Sequence, residues 1–322
     1  MNHFSKILNK KISNFKFLDV FSFIIAAIIL LPILSFSREG IDLIFSGRFS
    51  LGITGKEEIS GSLKMIFLSS LLGGSLGIIN GWLLSNCEFR FRKILRVCQL
   101  IPLAAPAYLI TAICQDVGSI MGFQINGIWW GVLILSISTY PYVFILTNES
   151  FNKFGINQIR ASRGLGAGPW KSFFKIALPM ALPSIVTGIS LMCMEIMNEL
   201  GSFELLNIPT ISTGITENWN IDGNPNSGIA LSLIALIIIF GLILIEKFSR
   251  RKTKRWSDNP SFSHSQGWKL NGYRSYLAIL ISSFPALFSL GIPLFWISLN
   301  IDQINKSFTP ELFVLTFRTI VL

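Results

Sequence analysis

Residues 159–183 read IRASRGLGAGPWKSFFKIALPMALP and lie between two long apolar segments. Nine residues separate Gly166 from Ile176, and Leu178 and Pro179 complete a G-x9-I-x-L-P pattern. Glycine permits the left-handed backbone of a tight turn, while proline lacks the N–H that an α-helix uses. The pattern therefore predicts two short helices joined by a turn.

The predicted helix pair has definite bounds. We expect the first helix over 158–164, the turn over 165–169 and a second helix that ends near Pro179. Such a pair, lying along a membrane, gives a cytosolic protein a compact surface to bind. The alternative interpretation is an ordinary basic loop whose glycines are incidental.

The composition indicates a polytopic membrane protein. Hydrophobic residues make up 51% of the 322 residues, charged residues only 14%, and the mean hydropathy is +0.59. Soluble domains carry about 25% charged residues. A helix needs roughly 20 apolar residues to cross the hydrocarbon core of a bilayer. Suitable runs occur at 17–36, 64–84, 97–114, 127–147, 183–205, 227–245 and 276–299, and an eighth begins near Leu312. We therefore predict an all-α membrane helical bundle.

The positive charges fix the expected topology. Most of the 27 Lys and Arg residues lie before the first apolar run, at 90–96, at 153–175 and after residue 245. Lys and Arg are enriched in cytoplasmic loops, so the 151–183 loop is predicted to face the cytoplasm. The segment 201–226 has no Lys or Arg and is predicted to face outward. The net charge of +10 is thus explained by topology and contact with membrane lipid, and not by nucleic acid.

Several kinds of chemistry are not expected in this chain. The four cysteines are scattered and there are only two histidines, so neither a disulfide framework nor a metal site is predicted. No G-x-x-x-x-G-K-[ST] phosphate-binding motif occurs. We expect no cofactor, and any ATP must be hydrolysed by another subunit.

Together, the loop pattern and the topology resemble permease subunits of binding-protein-dependent, type I ABC importers. The resemblance implies a multi-pass permease in the inner (plasma) membrane of a bacterial cell, which itself performs no chemistry. Its implied partners are cytosolic ABC ATPase subunits, a periplasmic or extracellular substrate-binding protein and a second permease unit. The implied ATPase-docking residues are Arg160, Ala161, Ser162, Gly166, Ile176, Leu178 and Pro179.

One position departs from the family pattern. The family loop usually begins Glu-Ala-Ala where this chain has Arg160, Ala161 and Ser162, so the charge is reversed. Either Arg160 pairs with an acidic group on the ATPase or the coupling is weaker. Both interpretations stay open.

The end of the chain resembles its beginning. The order of small residue, cation and isoleucine is repeated in Ser62, Lys64 and Ile66 and in Thr316, Arg318 and Ile320. This indicates the start of a second copy, as in ferric-iron permeases, which are typically two fused units. We predict a first unit over 1–249, a cytoplasmic linker over 250–274 and an incomplete second unit over 275–322. We expect either a shortened product of a longer permease or a sequence that continues beyond residue 322.

Four residues in the second half of the fifth apolar run are candidates for the translocation pathway: Glu195, Asn198, Glu199 and Gly201. We expect Glu195 near the middle of the span, with Glu199 one turn later on the same face. This pair either favours a cationic cargo or is bonded within the bundle. Gly201 permits a helix break, and the 201–226 segment could form an external gate or meet the binding protein.

The cargo expected from the resemblance is ferric iron, because Thr139–Tyr142 and the 199–219 segment resemble ferric-iron permeases. Permeases for thiamine or another small solute share this plan and stay open. A secondary transporter driven by an ion gradient, with Glu195 and Glu199 as its coupling site, and a scaffold that moves nothing are further alternatives.

Two further patterns concern packing. Ser69, Gly73, Gly77 and Gly81 place a small residue every four positions, which predicts close contact between helices. Pro102 and Pro106 lie inside the third apolar run and predict a kink there.

Overall fold

The structure is a computed structural model that describes residues 2–153, 162, 164–253, 267–301 and 310–321. Most of these residues are helical. The helices are α1 (Asn2–Phe45), α2 (Gly55–Asn86), α3 (Arg92–Cys98), α4 (Ala107–Ile120), α5 (Ile128–Lys153), α6 (Pro169–Ser172), α7 (Leu178–Asn198), α8 (Gly201–Leu205), α9 (Ile211–Asn220), α10 (Pro225–Thr253), α11 (Tyr273–Leu299) and α12 (Pro310–Val321). A 3-10 turn (Ile101–Ala104) follows α3, and a π-helical turn (Phe173–Ala177) joins α6 to α7.

Six helices among the described residues are long and apolar enough to cross a membrane, which confirms the predicted all-α class. They cover Asp19–Phe45, Gly55–Asn86, Ile128–Asn152, Trp170–Asn198, Pro225–Arg251 and Tyr273–Leu299. A bilayer core of about 30 Å needs roughly 20 helical residues, and each of these helices is longer.

The third predicted span, 97–114, is not one continuous helix. Arg92–Ala104 and Ala107–Ile120 meet at an angle of 88°. Pro102 lies in the 3-10 turn and Pro106 caps α4. Neither proline has an N–H to donate, so the helical ladder is interrupted twice within five residues. The predicted kink is confirmed.

The chain divides into two compact units, of which the first comprises residues 1–56 and 214–237. Within it, a Cβ on Gly40 would overlap the side chain of Leu233. The most apolar part of α1 is otherwise exposed throughout the described structure.

The second unit comprises residues 57–213 and 238–322, and its centre is formed by α2, α5 and α7. The predicted small-residue stripe lies here. A Cβ added to Gly77 would be 2.7 Å from Val143 Cβ, and one added to Gly188 would be 2.8 Å from Val143 Cα. At Gly81 the nearest atom would be Thr147 Oγ1, at 2.5 Å. The helices therefore approach closely, as predicted.

Helix α11 is attached to the second unit by buried polar groups. The Ser282 hydroxyl donates to Asn80 Oδ1 at 3.1 Å, and Gln99 Nε2 donates to the Ser282 carbonyl at 2.7 Å. Tyr140 in turn donates its hydroxyl proton to Gln99 Oε1 at 3.0 Å. The boundaries of the expected permease units, 1–249, 250–274 and 275–322, are a different division and stay a prediction.

Two short strands lie beside the ends of α2 and α11 in this unit. Strand β1 (Cys87–Glu88) pairs in parallel with β2 (Trp268–Lys269). The pairing joins the end of α2 to the segment that precedes α11. Burial raises the pKa of the Cys87 thiol to about 11, so this cysteine stays protonated at neutral pH.

Candidate functional site

The loop at residues 151–183, for which the resemblance implies ATPase docking (the docking loop), is described in part. Arg160 and Ala161 lie outside the described residues. Ser162 is helical and buried, and its hydroxyl is hydrogen-bonded to the Ser172 hydroxyl at 2.8 Å. Ser172 is fully buried as well. This bond connects the two arms of the loop, so Ser162 acts inside the loop and does not belong to its exposed surface.

The turn between the arms is closed at Gly166. This residue has φ +78°, and a Cβ placed on it would meet no atom within 4 Å. The Ala167 N–H donates to the Ser162 carbonyl at 2.9 Å. This is the 6→1 hydrogen bond of a Schellman motif at the end of a helix. The predicted turn is confirmed. Gly166 is required for its backbone conformation, since space alone would admit a side chain.

The second arm does not end near Pro179, so that prediction is wrong. The helical path continues from α6 through the π turn into α7 and ends at Asn198. Within the widened turn, the Leu178 N–H bonds to the Phe173 carbonyl five residues earlier. Pro179 directly follows this bond. Its missing N–H therefore falls where the usual bond to the residue four positions earlier has already been replaced by a bond to the residue five positions earlier, and the helix can continue. Ile176 lies half-buried in the π turn.

Aromatic rings anchor the base of the docking loop. Trp82 of α2 lies 5.0 Å from the Phe173 ring, 5.6 Å from the Phe151 ring and 5.5 Å from the Trp268 ring, measured between centroids. Trp82, Phe151 and Phe173 are buried. The π turn is thus packed against both α2 and α5.

The outer surface of the loop carries apolar side chains that the sequence analysis missed. Leu165, Trp170 and Phe174 are 89%, 73% and 58% exposed. The rings of Trp170 and Phe174 stack with centroids 6.2 Å apart and planes at 20°. Large apolar side chains at this exposure are typical of binding surfaces. The spacing of four between Trp170 and Phe174 was the signal available in the sequence.

Glu195 lies in the last turn of α7. The expectation that its helix continues to residue 205 is wrong, because α7 ends at Asn198. The depth of Glu195 in the membrane stays a prediction. The Glu195 side chain is exposed and lies close to the Tyr142 hydroxyl of α5. Asn198 is exposed too. An exposed carboxylate beside a phenol can interact with a passing cation.

Glu199 has a different environment, although it is only four residues away. It caps α7, and its Oε1 accepts hydrogen bonds from the Ser202 N–H at 2.8 Å and the Ser202 hydroxyl at 2.7 Å. Its carbonyl accepts a third bond from the Ser212 hydroxyl at 2.6 Å. This carboxylate therefore caps the first turn of α8.

Gly201 follows the helix break and does not create it. The extended residue is Glu199, at φ −71° and ψ 133°, and Gly201 begins α8 without a left-handed φ. A Cβ on Gly201 would lie 2.9 Å from Tyr108 Cβ in α4. Glycine is needed here because an added side chain would collide with the Tyr108 side chain.

The connection from α8 to α9 is held in place by polar contacts. Gln115 Nε2 donates to the Leu205 carbonyl at 2.6 Å, and the Gly127 N–H donates to the Leu206 carbonyl at 2.9 Å. At the start of α9, the Ile211 N–H donates to the Ser62 hydroxyl oxygen at 2.8 Å. The part of the 201–226 segment up to α9 is thus a packed element.

No cluster of three or more His, Cys, Asp or Glu side chains that could hold a metal ion occurs within the described ranges. Glu195 and Glu199 thus differ in their partners and do not converge on one site.

Comparison with known proteins gives a family and a fold. Residues 73–254 match the family described as "Binding-protein-dependent transport system inner membrane component". The chain is 22% identical over 214 residues to the Fe(3+)-transport system permease protein FbpB 2 of Haemophilus influenzae, covering 66% of this chain and 40% of that protein. It is 24% identical over 152 residues to the sulfate transport system permease protein CysT of Escherichia coli, covering 44% of this chain and 55% of that protein. The chain thus spans about half the length of these relatives.

A solved structure shares the fold. It is a bacterial alginate ABC transporter in complex with an alginate pentasaccharide-bound periplasmic protein, and the matching chain is 15% identical with a TM-score of 0.56. The match covers 81% of this chain and all of the other. The architecture is therefore that of an ABC transporter membrane subunit.

Proposed function

This chain belongs to the family of binding-protein-dependent transport system inner membrane components, and on that premise we propose that it is the permease of an ABC importer. In this proposal, a cytosolic ATPase binds the docking loop through Leu165, Trp170 and Phe174. A binding protein delivers cargo on the opposite side of the membrane. The permease moves the cargo by alternating access and performs no chemistry itself.

The observation that carries the proposal is the contrast between the two faces of the docking loop. One face is anchored, since Phe173 packs against Trp82 and Phe151. The other face presents Trp170 and Phe174 to solvent. The exposed apolar face gives a partner a surface to bind. Because the opposite face is packed against α2 and α5, a movement of the bound partner would be transmitted to these helices.

The test of docking compares two substitutions at one position. Gly166→Val should abolish co-purification with the ATPase, because a β-branched residue disfavours the left-handed backbone. Gly166→Asn is the matched control, since asparagine adopts that backbone readily, and it should retain the ATPase. The amount of ATPase recovered per permease would be measured after membrane extraction.

A second variant tests the exposed surface while keeping the turn at Gly166. Trp170→Ala removes an exposed ring and leaves Gly166 unchanged, so it should weaken ATPase recovery without lowering permease levels. Normal coupling of ATP hydrolysis to uptake in both Gly166→Val and Trp170→Ala would contradict the docking proposal.

We further propose that the cargo is a cation, with ferric iron as the candidate. The support is the exposed Glu195 carboxylate, paired only with a neutral phenol among its described contacts. A carboxylate repels an oxyanion such as sulfate and attracts Fe³⁺. The two relatives carry names of both kinds, ferric iron and sulfate, and the negative charge of Glu195 is our reason for proposing the cation.

Glu195→Gln preserves the shape and the hydrogen-bonding capacity of the side chain while removing the charge. In vesicles that contain the complete transporter, uptake of labelled ferric iron should fall while labelled sulfate stays at background. Permease levels and ATPase recovery should not change. Undiminished iron uptake would refute the role of Glu195, and sulfate uptake by the wild type would refute the cation.

A further inference from the structure

A cleft at the cytoplasmic end of the second unit lies apart from both the docking loop and Glu195. It has a volume of about 640 Å³ and is lined by residues 88–91, residues 269–272, Ser275, Tyr276 and Ile279. The strand pair shapes its walls. The Leu270 N–H donates to the Glu88 carbonyl, and the Gly267 N–H donates to Glu88 Oε1, both at 2.9 Å. The cleft is therefore built by contacts between distant parts of the chain.

The charges in the lining favour an anion. Arg90 and Lys269 are both exposed at the cleft. Glu88 is the one carboxylate among the lining residues, all of which are described. Its Oε1 accepts a hydrogen bond from the Gly267 N–H, and the carboxylate interacts electrostatically with the Arg92 guanidinium. Arg90, Lys269 and Arg92 are positively charged and Glu88 is negatively charged, so the net charge at the cleft is positive.

The position of the cleft places it at the membrane surface. The candidate span of α2 ends at Asn86, two residues before the lining begins, and that of α11 begins at Tyr273, directly after Gly272. Lys and Arg clusters put these ends on the cytoplasmic side. The cleft therefore lies at the level of the lipid headgroups of the inner leaflet.

Aromatic side chains line the route from the cleft to the hydrocarbon. Tyr276 is 75% exposed and Phe91 is 52% exposed, and the Arg90 guanidinium lies 4.9 Å from the centroid of the Phe91 ring. Ile279 follows Tyr276 one turn further along α11. Tyr at a membrane interface holds its ring at headgroup depth. The lining thus changes from cationic to apolar in the direction of the membrane core.

We propose that this cleft binds the headgroup of an anionic phospholipid from the cytoplasmic leaflet. The phosphate lies against Arg90 and Lys269, and the acyl chains run along Tyr276 and Ile279. A soluble phosphate compound would use the same cations but would leave the apolar part of the lining without a partner. The proposal does not depend on what the permease transports.

The test uses the whole chain, reconstituted in nanodiscs of phosphatidylcholine with one quarter phosphatidylglycerol. The double variant Arg90→Gln and Lys269→Gln should retain roughly 30-fold less phosphatidylglycerol after extraction, because it removes two direct charge-assisted contacts with the lipid phosphate. Bound lipid would be counted by native mass spectrometry. Arg90→Lys with Lys269→Arg keeps both charges and should retain the lipid.

A matched control lies outside the cleft on the same side of the membrane. Arg251 stacks on Phe248 at 5.7 Å, much as Arg90 stacks on Phe91, and Lys247 is exposed nearby. Lys247→Gln with Arg251→Gln should leave the bound lipid unchanged. Equal loss from both double variants, or from neither, would overturn the proposal. Displacement of the lipid by millimolar inorganic phosphate alone would assign the cleft to a soluble anion and overturn it too.

Discussion

Gly166 in the docking loop and Gly201 at the start of α8 both lie where the chain changes direction, but they are glycines for opposite reasons. Gly166 has φ +78° and open space around it. Gly201 has an ordinary backbone, and Tyr108 would lie 2.9 Å from an added Cβ. At position 166 the backbone conformation disfavours residues other than glycine, and at position 201 the lack of space for a side chain does so. The same substitution should therefore have different consequences at the two sites.

The largest effect is expected for Gly201→Asn. Its side chain would have to displace Tyr108 and α4, and overpacking of this kind costs about 1–3 kcal/mol. The thermal unfolding midpoint of the purified permease should fall clearly. Gly166→Asn is the counterpart, and it should leave the midpoint near that of the wild type. A reversal of this order would show that the two glycines have been assigned the wrong roles.

A comparable contrast is expected between Glu199 and Glu195. Glu199→Gln weakens the two bonds to Ser202, and the loss of a helix cap costs about 0.5–2 kcal/mol. Hydrogen exchange of the α8 amides should accelerate. Glu195→Gln should leave that exchange unchanged, because Glu195 contacts Tyr142 instead. Equal acceleration in both variants would contradict the separate roles.

Gly166→Ala should have a smaller, local effect. Alanine in the left-handed region costs about 1–2 kcal/mol, and the cost falls on the turn and not on the helical core. Binding of the ATPase should weaken several-fold in a titration, while the unfolding midpoint should hardly move. A large drop in the midpoint would mean that the turn supports the whole bundle.

The smallest effect is expected at Gly164, which has neither restriction. It is helical and exposed, and a Cβ on it would meet no atom within 4 Å. Gly164→Ala should be neutral or stabilise the loop by a few tenths of a kcal/mol up to about 1 kcal/mol. ATPase binding and unfolding would be measured together. A loss of binding would place Gly164 in the contact surface itself.

The features that could be predicted from the sequence are those with local causes. The turn at Gly166 follows from glycine spacing, and the kink near Pro102 and Pro106 follows from missing N–H groups. The number and class of most spans follow from the length of the apolar runs.

The features that could not be predicted depend on contacts between distant residues. The end of α7 at Asn198 depends on Ser202 and Ser212, which bond to Glu199. Pro179 suggested a helix end, but packing of Phe173 against Trp82 supports a π turn that carries the helix past it. The need for glycine at position 201 arises from Tyr108, far away in sequence.

The π turn at Phe173–Ala177 also has a mechanical consequence. Trp170–Asn198 is one helical rod of 29 residues, roughly 43 Å long at a rise of about 1.5 Å per residue. Phe173 is held by Trp82 and Phe151 close to one end of this rod. A rigid rod that tilted about Phe173 would have a short arm at Trp170 and a long arm that reaches Glu195. With the fulcrum at Phe173, a tilt of about 5° moves the far end by roughly 3 Å, which is comparable to the diameter of a water molecule.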